Sequence, residues 1–240
     1  MELIRQAVGV AVKTGMQLHE VRLILGIGRN YAEHAREQAA DIPTRPMVFT
    51  KSPMTACLHG DPILVPKVCQ DRPQVDFEAE LAVVIGEGPG GAVCRDVPEA
   101  RALEWVLGYT CGNDVSARWW QKEGSGGQFY RGKSFDTFCP LGPRLVPGQE
   151  IKDPQALSLR CRVNGQVMQD GTTKDMIFPV ANLIADLSRG ATLPAGTVIM
   201  TGTPSGVGFA RKPPVWLGDG DKVEVEIAGI GVLANTVRFE

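Results

Sequence analysis

The 240 residues suffice for one large domain or two small ones and can bury a sizeable core. Hydrophobic residues make up 43% and charged residues 22%, and the net charge is -2, so nothing marks the chain for nucleic acid or an anionic membrane. Six scattered cysteines (57, 69, 94, 111, 139 and 161) form no Cys-x-x-Cys pair and have no histidine at zinc spacing, which favours reduced core residues over a disulfide frame. The opening residues include Glu2 and Arg5 and no secretory apolar run, and no stretch reaches membrane-spanning length; a cytoplasmic or organelle-matrix enzyme is expected.

Residues 1–20 alternate weakly through Val8, Val10 and Val12 and predict a hairpin, an N-terminal β arm ahead of a main domain over 21–240. Val21–Ile27 is a compact apolar strand, ended by Gly28-Arg29-Asn30-Tyr31, where Asn30 can cap a short helix running through Gln38. His34 and Glu37 stand i, i+3 on that helix, either as a surface ion pair or as a general base held by a carboxylate. After Pro43 and Pro46, Met47–Thr50 is a short strand with Lys51 at its end. Leu58–Val65 reads as a hairpin about the turn His59-Gly60-Asp61-Pro62.

Asp76-Phe77-Glu78-Ala79-Glu80-Leu81-Ala82-Val83-Val84-Ile85-Gly86 is the most informative stretch. Its apolar, β-branched second half predicts a buried strand. Strand alternation places Asp76, Glu78 and Glu80 on one face and Phe77, Ala79 and Leu81 on the other. Two such carboxylates about 7 Å apart repel by about 2–3 kcal/mol at an effective dielectric of 20. They need either Arg/Lys partners or, with a third ligand, a hard oxygen-preferring cation such as Mg²⁺.

Gly86–Gly91 is a loop and Pro98–Trp105 a helix. Val106–Gly112 is a strand stopping at Asn113-Asp114, and Ser116 can cap a helix over Ala117–Lys122. Asp114 thus lies where a strand hands over to a helix, a common place for a metal ligand. Arg118 and Gln121 share a face of that helix and suit either a carboxylate clamp or an ion pair with Asp114 or Glu123. Gly127-Gln128-Phe129-Tyr130-Arg131-Gly132-Lys133-Ser134 matches the phosphate-loop pattern literally, but a polar Gly/Ser stretch precedes it and an extended, proline-stopped segment follows, which argues against nucleotide binding.

From Leu141 onward the pattern is mainly β. Asn164-Gly165 marks a hairpin after Leu157–Val163, Pro179–Ser188 is an amphipathic helix stopped by Gly190, and Thr197–Thr201 is a short strand. That strand runs into Gly202-Thr203-Pro204-Ser205-Gly206-Val207-Gly208, either an ordinary turn or a loop whose backbone N–H groups approach a ligand. Lys222–Ile227 and Val232–Arg238 close the chain as a hairpin.

Taken together, Gly28-Arg29-Asn30-Tyr31-Ala32-Glu33-His34, Asp76-Phe77-Glu78-Ala79-Glu80-Leu81, Asn113-Asp114-Val115-Ser116-Ala117-Arg118, Gly132-Lys133-Ser134-Phe135-Asp136 and the glycine loop 201–208 make the chain resemble the fumarylacetoacetate hydrolase superfamily. The resemblance runs in order from about residue 21 onward. It implies an α+β, β-dominated fold of layered mixed β-sheets with a few short helices, and a homodimer. It also implies Mg²⁺ or Mn²⁺ on Glu78, Glu80 and Asp114, and a water-activating dyad of His34 and Glu37 on a lid. Lys133 would sit beside the metal, with Arg118, Gln121 and Thr203 on a substrate carboxylate and Lys51 lining the same cavity. The chain is too short for the separate N-terminal domain of fumarylacetoacetase proper, so a different substrate is expected. The main expectation is hydrolysis of a C–C bond in a 2,4-dioxo acid of the acylpyruvate kind. The alternatives are an isomerase or decarboxylase of a hydroxymuconate-type or oxaloacetate-like dicarboxylic acid, and a non-catalytic metal- or ligand-binding protein.

Overall fold

The computed structural model describes residues 1–37 and 40–240. Three layers of sheet are stacked. The middle layer has seven strands in the order Met47–Lys51, Ile24–Gly28, Val198–Met200, Ala79–Ile85, Val106–Asn113, Cys139–Pro147, Ala56–Leu58. One outer layer has five, Gln166–Thr172, Ser158–Val163, Lys222–Ile227, Gly231–Phe239 and Pro62–Val65. The other is a three-stranded sheet of residues 2–20. Both larger sheets are mixed: Ile24–Gly28 runs parallel to Val198–Met200 and Pro62–Val65 parallel to Gly231–Phe239, while most other pairs are antiparallel.

Strand alternation decides which layer each residue meets. Leu81, Val83 and Ile85 enter the larger core, with Leu159, Val225 and Leu233 of the five-stranded sheet and Leu183 and Ile184 of the helix Val180–Ser188. Ala82 and Val84 face the opposite way, into a second core closed by Val10 and Val12. The strand Ala79–Ile85 is buried along its whole length because it is fourth of seven, covered on both faces. The six cysteines are free and buried, and all but Cys57 lie in these two cores. No described helix is long and apolar enough to cross a membrane.

Several local expectations are corrected. Residues 1–20 hold three strands, since Gln17–Glu20 also pairs with Val10–Thr14. The segment 58–65 turns at Gly60 but is no hairpin: Ala56–Leu58 pairs with Cys139–Pro147 in one sheet and Pro62–Val65 with Gly231–Phe239 in the other. The acidic strand is broken, with Val75–Asp76 pairing Ser116–Ala117 before Ala79–Ile85 begins. Ser116 is therefore a strand residue, and the helix that follows, Arg118–Lys122, has no side-chain cap. The expected helix at 98–105 is a 3₁₀ helix, Glu99–Trp105. The helix carrying His34 spans Ala32–Glu37, and its expected end at Gln38 lies outside the described residues. Asn30 does not cap it. Its amide instead donates to Thr201 O (2.7 Å) and Phe178 O (3.1 Å) and accepts from Phe178 N (2.8 Å).

Candidate active site

An antiparallel register assembles the acidic floor. Val106–Asn113 pairs with Ala79–Ile85 so that Gly112 faces Glu80 and Asn113 faces Ala79, which returns Asp114 to the side of Glu78. The Asp114 amide donates to Glu78 O (2.9 Å), and Asn113 Oδ1 accepts from the Glu78 amide (3.1 Å). One carboxylate oxygen from each of Glu78, Glu80 and Asp114 then lies within 4.8 Å of the other two, and all three residues are buried. Three hard oxygen donors at that spacing fit a divalent cation of the Mg²⁺ or Mn²⁺ kind, whose ligands stand about 2.0–2.1 Å from the ion, after a small closing of rotamers.

Three cations hold two of these carboxylates, Glu78 and Asp114. Lys133 Nζ lies 2.6 Å from both Glu78 Oε2 and Asp114 Oδ2. It reaches them from the short helix Phe129–Lys133, which packs backbone to backbone on Arg118–Lys122. A Cβ at Gly132 would stand 2.4 Å from Gln121 N and 2.8 Å from Ala117 O, so only glycine permits that approach. Lys51 Nζ donates to Asp114 Oδ1 (2.5 Å) and to Val115 O (3.3 Å); it braces Asp114 from behind and is not on the pocket wall. Arg118 donates to Asp76 through Nε (2.9 Å) and Nη2 (2.7 Å), to Glu78 Oε1 through Nη2 (2.7 Å), and to Gln121 Oε1 through Nη1 (3.0 Å). Neither sequence candidate, Asp114 nor Glu123, is its partner. Asp76 also accepts from the amides of Gly208 (2.8 Å) and Phe209 (3.0 Å), tying the glycine loop to the site.

Four carboxylates (Asp76, Glu78, Glu80, Asp114) face three cations (Lys51, Arg118, Lys133), so one negative charge is uncompensated. It falls on Glu80, whose one direct partner among the described residues is the Gly202 amide at 2.7 Å. Burial, reinforced by Asp114 and Glu78, pushes the Glu80 carboxyl well above the usual range. Burial also acts on Glu78, but Lys133 and Arg118 outweigh it and hold that carboxyl well below the usual range. Burial works against the Lys133 ammonium too, and Asp114 and Glu78 outweigh it there and raise its pKa.

A pH dependence follows from Glu80. To ligate a cation it must lose its proton, so binding of a divalent ion is expected to release about one proton and to tighten with rising pH. The same shift favours the metal-free fold below about pH 4.3, where an unfolded glutamate titrates, and that contribution is lost as pH rises through the elevated folded value. Titration calorimetry with Mg²⁺ in two buffers of different ionisation heat checks this: the apparent heats should differ, and identical heats would contradict it.

The helix Ala32–Glu37 brings His34 to the pocket. His34 Nδ1 is 2.7 Å from Glu37 Oε1, and Glu37 Oε2 accepts from the Gly206 amide at 2.8 Å, so one carboxylate binds the imidazole to the glycine loop. His34, Glu78, Glu80, Lys133, Arg118 and Gln121 line one pocket, with Met47, Phe49 and Phe129 as an apolar wall. The pocket is small, with a cavity volume of about 30 Å³, and it opens partly to solvent. Thr203 lines it too, but its hydroxyl donates to Ala79 O (2.9 Å) and accepts from Gln169 Nε2 (2.7 Å), so that group braces the loop. Gln169, which also takes the Ala79 amide on Oε1 (2.9 Å), carried no sequence signal because its partners lie 34 and 90 residues away. Arg29 lines the pocket as well, a residue to which the family resemblance gave no role.

The fumarylacetoacetate (FAA) hydrolase C-terminal family model matches residues 23–238. An oxaloacetate tautomerase of Xenopus laevis, mitochondrial, is 46% identical over 89% of this chain and 65% of its own length. The oxaloacetate tautomerase YisK of Bacillus subtilis is 47% identical over 89% of this chain and 69% of its own. The chain thus spans about two thirds of the length of these curated relatives. The crystal structure of a 5-carboxymethyl-2-hydroxymuconate delta-isomerase from Mycobacterium smegmatis superposes with a TM-score of 0.78 at 37% identity, covering 99% of this chain and 93% of that one. With the family model spanning nearly its whole length, this chain belongs to the fumarylacetoacetate hydrolase family.

Proposed function

We propose that the protein is a tautomerase or isomerase that moves a proton between carbon and oxygen in a small 2-oxo dicarboxylic acid, with oxaloacetate as the first candidate. This replaces C–C hydrolysis as the leading expectation, because similar proteins are named tautomerases and isomerases. The observation that carries the reading is a histidine and a buried carboxylate–lysine floor on the walls of one small pocket.

Glu78, Glu80 and Asp114 would hold Mg²⁺ or Mn²⁺, which supplies Lewis acidity to neighbouring oxygens of the 2-oxo acid and so acidifies the adjacent C–H. Glu37 on Nδ1 orients the His34 imidazole, which would take the proton from the carbon next to the oxo group and pass it to the oxo oxygen, completing the shift from keto to enol. Lys133 keeps its proton and donates a hydrogen bond to the oxygen on which enol charge develops. The apolar wall of Met47, Phe49 and Phe129 limits water at that carbon.

A second reading is supported by the 2.7 Å contact between His34 and Glu37, an arrangement that also activates water for hydrolysis of an acylpyruvate. Turnover of oxaloacetate and of an acylpyruvate with Mg²⁺, in D₂O and in H₂¹⁸O, separates the two. Deuterium entering the carbon beside the oxo group with no cleavage product is expected. ¹⁸O in a newly formed carboxylate, without that exchange, would overturn the tautomerase reading in favour of hydrolysis.

A further inference from the structure

Two arginines stand on the pocket wall, and their states differ. Arg118 has four of its five N–H groups on Asp76, Glu78 and Gln121, so no pair remains for a second carboxylate. Arg29 has no carboxylate or hydrogen-bond partner among the described residues. Its backbone is left-handed, at φ 55°, a conformation that side chains other than Gly and Asn seldom adopt and that persists only where neighbours impose it. Neighbours impose it here. Asn30 is stapled to Thr201 and Phe178, and Gly202 packs so closely that a Cβ there would stand 2.7 Å from the Asn30 Cβ. The turn is clamped from both sides, with Arg29 on the pocket wall.

A second cation backs it. Lys122 Nζ sits 3.3 Å over the Phe209 ring, and the Arg118 guanidinium lies 6.0 Å from the same ring. The Lys122 pKa is lowered, first by burial and then by Arg118, with Arg29 adding to the effect. Three cations therefore crowd this side; Glu123 offsets part of their repulsion on Lys122, and Asp76 is already taken by Arg118. An anion entering beside Arg29 relieves that repulsion.

We infer that Arg29, supported by the charge of Lys122, is the subsite for the carboxylate at the far end of the substrate, so that the pocket selects 2-oxo dicarboxylic over 2-oxo monocarboxylic acids. This rests on the reading above and adds to it the group that reads the second charge. The test compares oxaloacetate with its 4-ethyl ester, which lacks that charge, in the wild type and in Arg29→Gly, Arg29→Lys and Lys122→Met. Glycine accepts the left-handed turn, so Arg29→Gly removes the guanidinium without straining the fold. For oxaloacetate it should raise KM about 10- to 100-fold, the usual loss for a charge-assisted hydrogen bond. For the ester KM should change by less than about threefold, and kcat should move little on either substrate. Arg29→Lys should recover part of the loss, and Lys122→Met should show a smaller loss in the same direction. Equal KM changes on acid and ester, or none on either, would overturn the subsite. Succinate against propionate in a thermal shift assay provides a readout without turnover: succinate should stabilise the wild type and not Arg29→Gly. If succinate binds through Arg29 while no oxo acid turns over, the functional reading fails and the subsite stands. If the tautomerase works and Arg29→Gly is indistinguishable from wild type, the subsite fails alone. If neither binding nor turnover is seen, both fail.

Discussion

Asp114→Ala is expected to abolish turnover and to destabilise the fold by about 3–5 kcal/mol, the typical result of removing one partner from a buried ion pair. The reason lies in what it leaves behind. Among the described residues, Lys51, fully buried, would retain only Val115 O at 3.3 Å, and Lys133 would keep Glu78 alone. For a domain of this size the loss corresponds to a fall in Tm of roughly 6–20 °C. Asp114→Asn keeps an acceptor for Lys51 and should lose less stability while still failing to bind the cation. Thermal melts with and without Mg²⁺ check both statements: the wild type should gain stability with the ion and neither variant should. A variant that melts like wild type and responds to Mg²⁺ would show that Asp114 is neither brace nor ligand.

His34→Ala is expected to cost about 10²- to 10⁴-fold in kcat, the usual contribution of a positioned general acid–base, while leaving divalent-ion binding intact. The ligand carboxylates are held by Lys133, Lys51, Arg118 and the Gly202 amide, none of which depends on His34. Glu37→Ala should behave differently. Glu37 holds both His34 Nδ1 and the Gly206 amide, so its loss disorients the base and releases the glycine loop. It should therefore change KM as well as kcat, whereas His34→Ala should act on kcat. Steady-state kinetics on both variants, paired with Mg²⁺ calorimetry, make the comparison. Full activity of His34→Ala would remove the histidine from the mechanism.

What could be read in the sequence was what local periodicity controls. Period-two alternation placed Phe77, Ala79 and Leu81 against the core and Glu78 and Glu80 together, and the strand Ala79–Ile85 keeps that parity. Asn164-Gly165 gave its hairpin because both residues take positive φ, at 52° and 80°. The layered β-dominated fold followed from the resemblance carried by the motifs. What escaped was set by partners far along the chain. Ala56–Leu58 and Pro62–Val65 look like two arms of one hairpin, yet each adds in parallel to a strand some 80 or 170 residues away. Arg118 and Gln121 were visible as a pair on one helix face, and they do touch. That Asp76, 42 residues earlier, saturates the same guanidinium required the two-strand pairing of Val75–Asp76 with Ser116–Ala117. The phosphate-loop match dissolves for a related reason: Gly132-Lys133 ends a helical turn and sends the lysine to carboxylates, where a phosphate loop would precede its helix.

The central claim is that Glu78, Glu80 and Asp114 together grip one divalent cation. Crystals soaked in Mn²⁺ and measured for anomalous scattering test it most directly. A single strong peak within coordination distance of all three carboxylates, absent in Glu80→Gln, is the result expected. A peak elsewhere, or none, with Lys133 still bridging Glu78 and Asp114, would contradict it.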